Sequence, residues 1–188
     1  MDYFLLTQDW RYTDIPQLEP LSRQLPALKP EFIQPGDLQQ PLGLYMQSHE
    51  DSEYLDYLDE ALPLVSARMM KLWSMYEPHM SFHPVVLMNP ELLLQMTYHL
   101  AFPAAVNILH EDSEWNADRT LLQHIVLDRS RLPRRKIFKI GESAKPQLVI
   151  RLDVAESILR RDMTGITLQK LEVAAPRTVY RAVQPFVE

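Results

Sequence analysis

Between Arg134 and Leu171 the chain reads RRKIFKIGESAKPQLVIRLDVAESILRRDMTGITLQKL, and no other stretch constrains the fold as much. Two short apolar runs, Ile137–Ile140 and Leu148–Leu152, flank a polar turn that carries Gly141 and Pro146. Apolar β-formers bounded by turn residues read as strands. Beyond Asp153, the residues Val154, Ala155, Ile158 and Leu159 form one apolar stripe at helical spacing, which predicts a helix to about Arg161. A Thr164–Gly165 turn then leads into a third alternating run, Ile166–Leu171. Every strong signal in this block concerns folding and none concerns chemistry.

The same order recurs upstream. Asp2–Thr7 reads as an opening strand with apolar residues on both faces, as expected inside a covered sheet. Leu62–Val65 predicts a short strand ending at Ser66, followed by a helix to about Tyr76 with Met69, Leu72, Trp73 and Tyr76 on one face. Val85–Met88 predicts a strand ending at Asn89, followed by Pro90, Glu91 and a helix to about Leu100. Ser66, Asn89 and Asp153 are suitable N-caps, because their side-chain oxygens can accept from unpaired helix amides, and Glu156 makes a capping-box-like pair with Asp153. Val85–Asn89 can be laid over Val149–Asp153 so that the caps coincide, each unit ending in a strand at Ala104–Leu109 or Ile166–Leu171. Convergence on one packing solution explains this better than duplication, since few side chains agree. Leu121–Leu127 is a further expected strand.

These units predict an α+β fold, a single domain over residues 1–188 with a mixed β-sheet and several short helices. Residues 1–14 hold the opening strand and 15–48 form a proline-rich extended arm. The core spans 49–171, and 172–188 form a docked tail. The arm contains Pro16, Pro20, Pro26, Pro30, Pro35 and Pro41, which fix φ and remove amide donors, disfavouring long helices and central strands.

Composition removes several classes of function. The chain has no cysteine, which excludes disulfides and thiolate zinc sites and fits a reducing cytoplasm. The N-terminal residues make a poor signal peptide, and no apolar run approaches the ~20 residues a membrane-spanning helix needs. A cytoplasmic protein without membrane partner is expected. Net charge is −6, where a nucleic-acid binder is expected to lean basic.

Motifs for chemistry are missing. Four scattered glycines build no phosphate loop, and no G-x-S-x-G is present. His79 and His83 are four apart, but Pro78 and Pro84 disfavour the helix that would align them. His110-Glu111-Asp112 reads as a polar strand-end turn rather than a cation site. No catalytic residue, cofactor or metal site is therefore expected. Two charged segments remain. The first, HEDSEYLDYLDE, carries Glu50, Asp51, Glu53, Asp56, Asp59 and Glu60 with Tyr54 and Tyr57 interleaved, a pattern that suits recognition of a basic partner or a solvated edge. The second holds Arg129, Arg131, Arg134, Arg135 and Lys136, read as neutralising the acidic segment or keeping a hairpin soluble.

The C-terminal block resembles a family of bacterial immunity proteins that accompany polymorphic toxins and type VI secretion effectors. The resemblance rests on Val126-Leu127-Asp128, Lys136-Ile137-Phe138, Leu148-Val149-Ile150, Asp153, Leu159 and Thr164-Gly165-Ile166, joined upstream by Leu62-Pro63-Leu64-Val65-Ser66 and His83-Pro84-Val85. It covers the chain from about residue 60 onward and not the arm. It implies a shared scaffold without a shared partner, so no binding residue carries over. The expected function is a non-enzymatic immunity protein that binds a cognate secreted antibacterial toxin and occludes its active site. The alternatives are an adaptor or chaperone for a secreted effector and a hydrolase using His110, Asp112 or Asp128.

Overall fold

The opening strand is built as its sequence demands. Tyr3–Gln8 (β1) has apolar side chains on both faces because it lies inside a sheet covered on both sides. The computed structural model describes residues 1–26, 33–38, 41–59, 62–143 and 145–175. After β1 come β2 (Gln17–Leu18), α1 (Leu21–Gln24), β3 (Leu42–Gln47), β4 (Tyr57–Leu58), β5 (Leu64–Val65) and α2 (Ala67–Tyr76). The middle holds β6 (Ser81–Asn89), β7 (Leu94–Phe102), β8 (Ala105–Val106), β9 (Glu114–Trp115), β10 (Leu122–His124) and β11 (Val126–Asp128). The last elements are β12 (Ile137–Ile140), β13 (Leu148–Arg151), α3 (Leu152–Leu159), β14 (Ile166–Lys170) and β15 (Glu172–Ala174).

Two mixed sheets dominate this single α+β domain. One runs β14-β1-β13-β12-β8, with β8 parallel to β12 and the other neighbours antiparallel. The other runs β2-β3-β6-β7-β5-β4, with only β3 parallel to its neighbour β6. Helices α2 and α3 cover the first sheet. Met69, Leu72 and Trp73 of α2 and Val154, Ala155 and Ile158 of α3 meet Leu6, Ile137 and Ile150 in one apolar cluster. The helices run antiparallel: Arg68 reaches the Arg161 carbonyl at one end, and the Tyr76 hydroxyl reaches the Asp153 carbonyl at the other.

Ser66 caps α2 as its sequence predicts, accepting from the Met69 amide at 3.1 Å. Other expectations fail for physical reasons. Residues after Asn89 form no helix. Asn89 Oδ1 accepts from the amides of Glu91 and Leu92, a local bond that can open a turn as well as a helix. Leu93, at φ 51°, closes that turn, and β7 returns along β6. Leu94, Met96, Tyr98 and Leu100 then alternate with Gln95, Thr97 and His99, so the governing period is two. The overlay with Val149–Asp153 ends there, because a hairpin follows one cap and a helix the other.

Asp153 is not the cap of α3. Arg151 occupies that position, and Asp153 inside the first turn pairs with the Arg151 guanidinium at 2.5 Å. Glu156 bonds Arg160 rather than closing a capping box.

The arm assigned to 15–48 does more than lie over the domain. Its end supplies β3, held between β2 and β6, with Leu42, Leu44 and Met46 buried and Gly43, Tyr45 and Gln47 exposed. The proline argument stops at Pro41, one residue before this strand begins. Leu121–Leu127 is divided into β10 and β11, and Ala104–Leu109 contributes only the two residues of β8 to a sheet. Of the tail, Glu172–Ala174 pairs parallel with β11, and residues 176–188 lie outside the described residues.

Candidate functional site

The acidic segment divides into a buried anchor and an exposed loop. Leu55, Tyr57 and Leu58 enter the core, which carries Asp56 inward to 5 % exposure. Asp56 Oδ1 accepts from the Ser66 hydroxyl, and Oδ2 accepts from the Thr164 amide with Arg68 at 3.6 Å. Tyr57, 2 % exposed, packs against Trp73. Asp59 is half-buried: its Oδ2 accepts from the Gln8 amide, and its own amide donates to Gln8 Oε1. Burial pushes the Asp59 carboxyl above the usual carboxylate range. Asp56 and Tyr57 therefore present nothing to a partner, contrary to the sequence expectation. Glu60 lies outside the described residues.

Glu50, Asp51 and Glu53 are exposed, and none of the three has an ion-pair partner among the described residues. Their loop is held from behind. Ser52 donates its amide to the His49 carbonyl, the His49 amide returns a bond to Ser52 Oγ, and the Glu53 amide donates to the Asp14 carbonyl at 2.7 Å. His49 Nε2 also lies 2.6 Å from the Asp14 carboxylate. Tyr54 is half-buried, with its hydroxyl on Ser48. The ties Gln8–Asp59 and Asp14–Glu53 set residues 8–14 alongside 53–59, and Trp10, between those ties, is 60 % exposed. Its sequence context is a polar loop that gives no sign of this placement.

Among the described residues, the basic cluster makes no ion pair with the acidic segment. Arg131 pairs with Asp128, Arg135 with Glu77, and Lys136 lies 3.7 Å from Asp153 and over the Tyr76 ring. His110 is buried with Nδ1 3.1 Å from Asp112, while Asp128 accepts from the Ser130 hydroxyl and amide, bonds that hold its carboxyl below the usual range. These are strand-end networks. No group of three potential metal ligands occurs among the described residues.

A cleft of about 370 Å³ opens where the chain passes from β7 to β8, between the two sheets. Glu77, Arg135 and Lys139 are the charged residues of its lining, and His79 is among the others. The sequence gives no sign of it, because its walls come from distant elements.

In comparison with known proteins, no family model matches this chain and no curated protein matches it. No helix among the described residues is long and apolar enough to cross a membrane.

Proposed function

We propose that this chain is a non-enzymatic, immunity-type protein that binds and neutralises a cognate secreted antibacterial toxin, occluding the toxin's active site. The observation that carries the reading is the anchored acidic ledge. Glu50, Asp51 and Glu53 project from a loop whose backbone is already fixed, so little ordering entropy is lost when a partner docks. Three carboxylates with no ion-pair partner among the described residues favour a basic surface and raise the rate of encounter with it. Trp10 adds an exposed aromatic of the type that dominates binding energy at interfaces. The resemblance of the Lys136–Ile166 region to immunity proteins points the same way, and the buried Asp56 and Tyr57 serve as the ledge's foundation.

The test is co-expression with the product of the adjacent reading frame, scored by growth rescue and co-purification. Charge reversal of Glu50, Asp51 and Glu53 together should weaken the complex at least about tenfold, ~1.4 kcal/mol, and flatten its salt dependence. Trp10→Ala should cost ~2 kcal/mol of binding. Unchanged affinity in both variants removes the ledge from the interface. Multiple turnover of a modified toxin, rather than inhibition at fixed stoichiometry, ends the non-enzymatic reading.

A further inference from the structure

We propose that the cleft between the two sheets binds a small amphipathic anion, an apolar body carrying one carboxylate or phosphate, with the anion held by Lys139. This site is separate from the acidic ledge and does not depend on the immunity reading.

The cleft lies at the junction of the two sheets. The chain leaves β7 at Phe102 in the six-stranded sheet and enters β8 at Ala105 in the five-stranded one, and residues on both sides of that crossing line the cleft. Tyr57 and Leu100 line one side, Ile137 and Leu148 the other. These walls are apolar and already packed into the core. Its volume of about 370 Å³ falls within the roughly 300–1,000 Å³ usual for small-molecule sites.

The charges in the lining are unequal in their commitments. Glu77 is 8 % exposed, and both oxygens are taken: Oε1 accepts from the Lys136 amide at 2.5 Å, and Oε2 faces Arg135 Nη1 at 3.4 Å. Its carboxylate is thus already turned toward the Lys136 amide and Arg135. Lys139 is half-buried, and its amine has no hydrogen-bond or ion-pair partner among the described residues. Its neighbours Phe138 and Ile140 point to the opposite face of β12, into a different apolar cluster, while Ile137 and Lys139 share the face that lines the cleft. An apolar residue at 139 would extend the core. Lysine instead places an amine, without a counter-charge among the described residues, beside an apolar chamber, an arrangement that gains most when an anion arrives with its own apolar body. Arg135, bound to Glu77 only through one long contact, is a second cation at the same opening, and His79 lines the mouth.

The test titrates the full chain with octanoate, octyl phosphate and octan-1-ol, following backbone amide shifts and calorimetric heat. At least one anion should bind about tenfold more tightly than the alcohol, with shifts centred on Ala101, Ala105, Ile137 and Lys139. The two anions separate the carboxylate source from the phosphate source. Lys139→Met should lower anion affinity about tenfold while leaving alcohol binding and the melting temperature unchanged. Arg135→Gln, on an exposed side chain, should lower it several-fold and serves as the test should Lys139→Met not fold. Equal affinity for alcohol and anions, shifts elsewhere, or no saturable shift with either anion up to about 10 mM overturns the proposal.

Discussion

Asp56 and Thr164, 108 residues apart, exchange backbone and side-chain hydrogen bonds. The Thr164 amide donates to Asp56 Oδ2 at 3.1 Å, and the Asp56 amide returns to the Thr164 carbonyl at 3.2 Å and its hydroxyl at 3.3 Å. On the other side, Ser66 donates its hydroxyl to Asp56 Oδ1 and its amide to the Asp56 carbonyl. One buried carboxylate thus joins the end of the acidic loop, the cap of α2 and the turn before β14.

Removing that carboxylate leaves two partly buried donors, the Ser66 hydroxyl and the Thr164 amide, without their acceptor, the expensive way to lose a hydrogen bond. Asp56→Ala should destabilise the fold by ~3 kcal/mol, and Thr164→Ala, which loses only the long hydroxyl contact, by less than ~1 kcal/mol. Urea denaturation of both variants measures the difference. Equal losses would mean that Asp56 is not the organising group.

Gly165 sits next to this link at φ 78°, and a Cβ there would lie 2.6 Å from Leu55 Cβ and 3.0 Å from the Tyr57 carbonyl oxygen. Gly165→Ala combines an unfavourable backbone conformation with a clash against the core and should cost at least ~2 kcal/mol. Adding Leu55→Ala removes the Leu55 Cδ1 that the new Cβ would meet at 2.8 Å, while the Leu55 Cβ contact stays. The double variant should therefore lose less than the sum of the two single losses, read as a coupling energy in a double-mutant cycle. Strict additivity would assign the cost to the backbone conformation and to the Cβ and carbonyl contacts that remain, and none of it to Cδ1.

The exposed and buried acids of the same segment should separate cleanly by stability. Glu50→Lys, Asp51→Lys or Glu53→Lys changes an exposed side chain with no ion-pair partner among the described residues and should move unfolding free energy by no more than ~0.5 kcal/mol. Thermal melts of these variants should superimpose on the parent. A marked drop in melting temperature would show that the loop's charges support the fold.

His99 gives the stability a pH dependence. Burial holds its imidazole below the ordinary value of 6.5, outweighing a hydrogen bond with the Val65 backbone. A depressed folded value means that the unfolded chain takes up the proton first as pH falls. The contribution of His99 is fully present above 6.5 and declines below it, until the folded form is protonated as well. His99→Phe should therefore lose less stability than the parent between neutral and mildly acidic pH, measured by urea midpoints at both. Parallel losses would assign the acid sensitivity to other groups.

The elements legible in the sequence are those decided within a few residues. β1, α2 with its Ser66 cap, and the series β12, β13, α3 and β14 follow from local periodicity, turn residues and one capping oxygen. The Asn89 region shows where local signals are ambiguous. The same side-chain oxygen opens a helix or a turn, and pairing along the whole of β6 decided for the hairpin.

By itself, then, the sequence determined the α+β class, the order of its best-formed elements and the presence of an acidic segment, because backbone preference and apolar spacing act locally. Only the tertiary structure decided that β3 joins a central sheet, that Asp56 turns inward while Glu50, Asp51 and Glu53 stay in water, and that Lys139 faces an apolar cleft. Each of those outcomes is set by what lies opposite a residue in space. Burial and partner geometry come from segments remote in the chain, which composition and period do not encode.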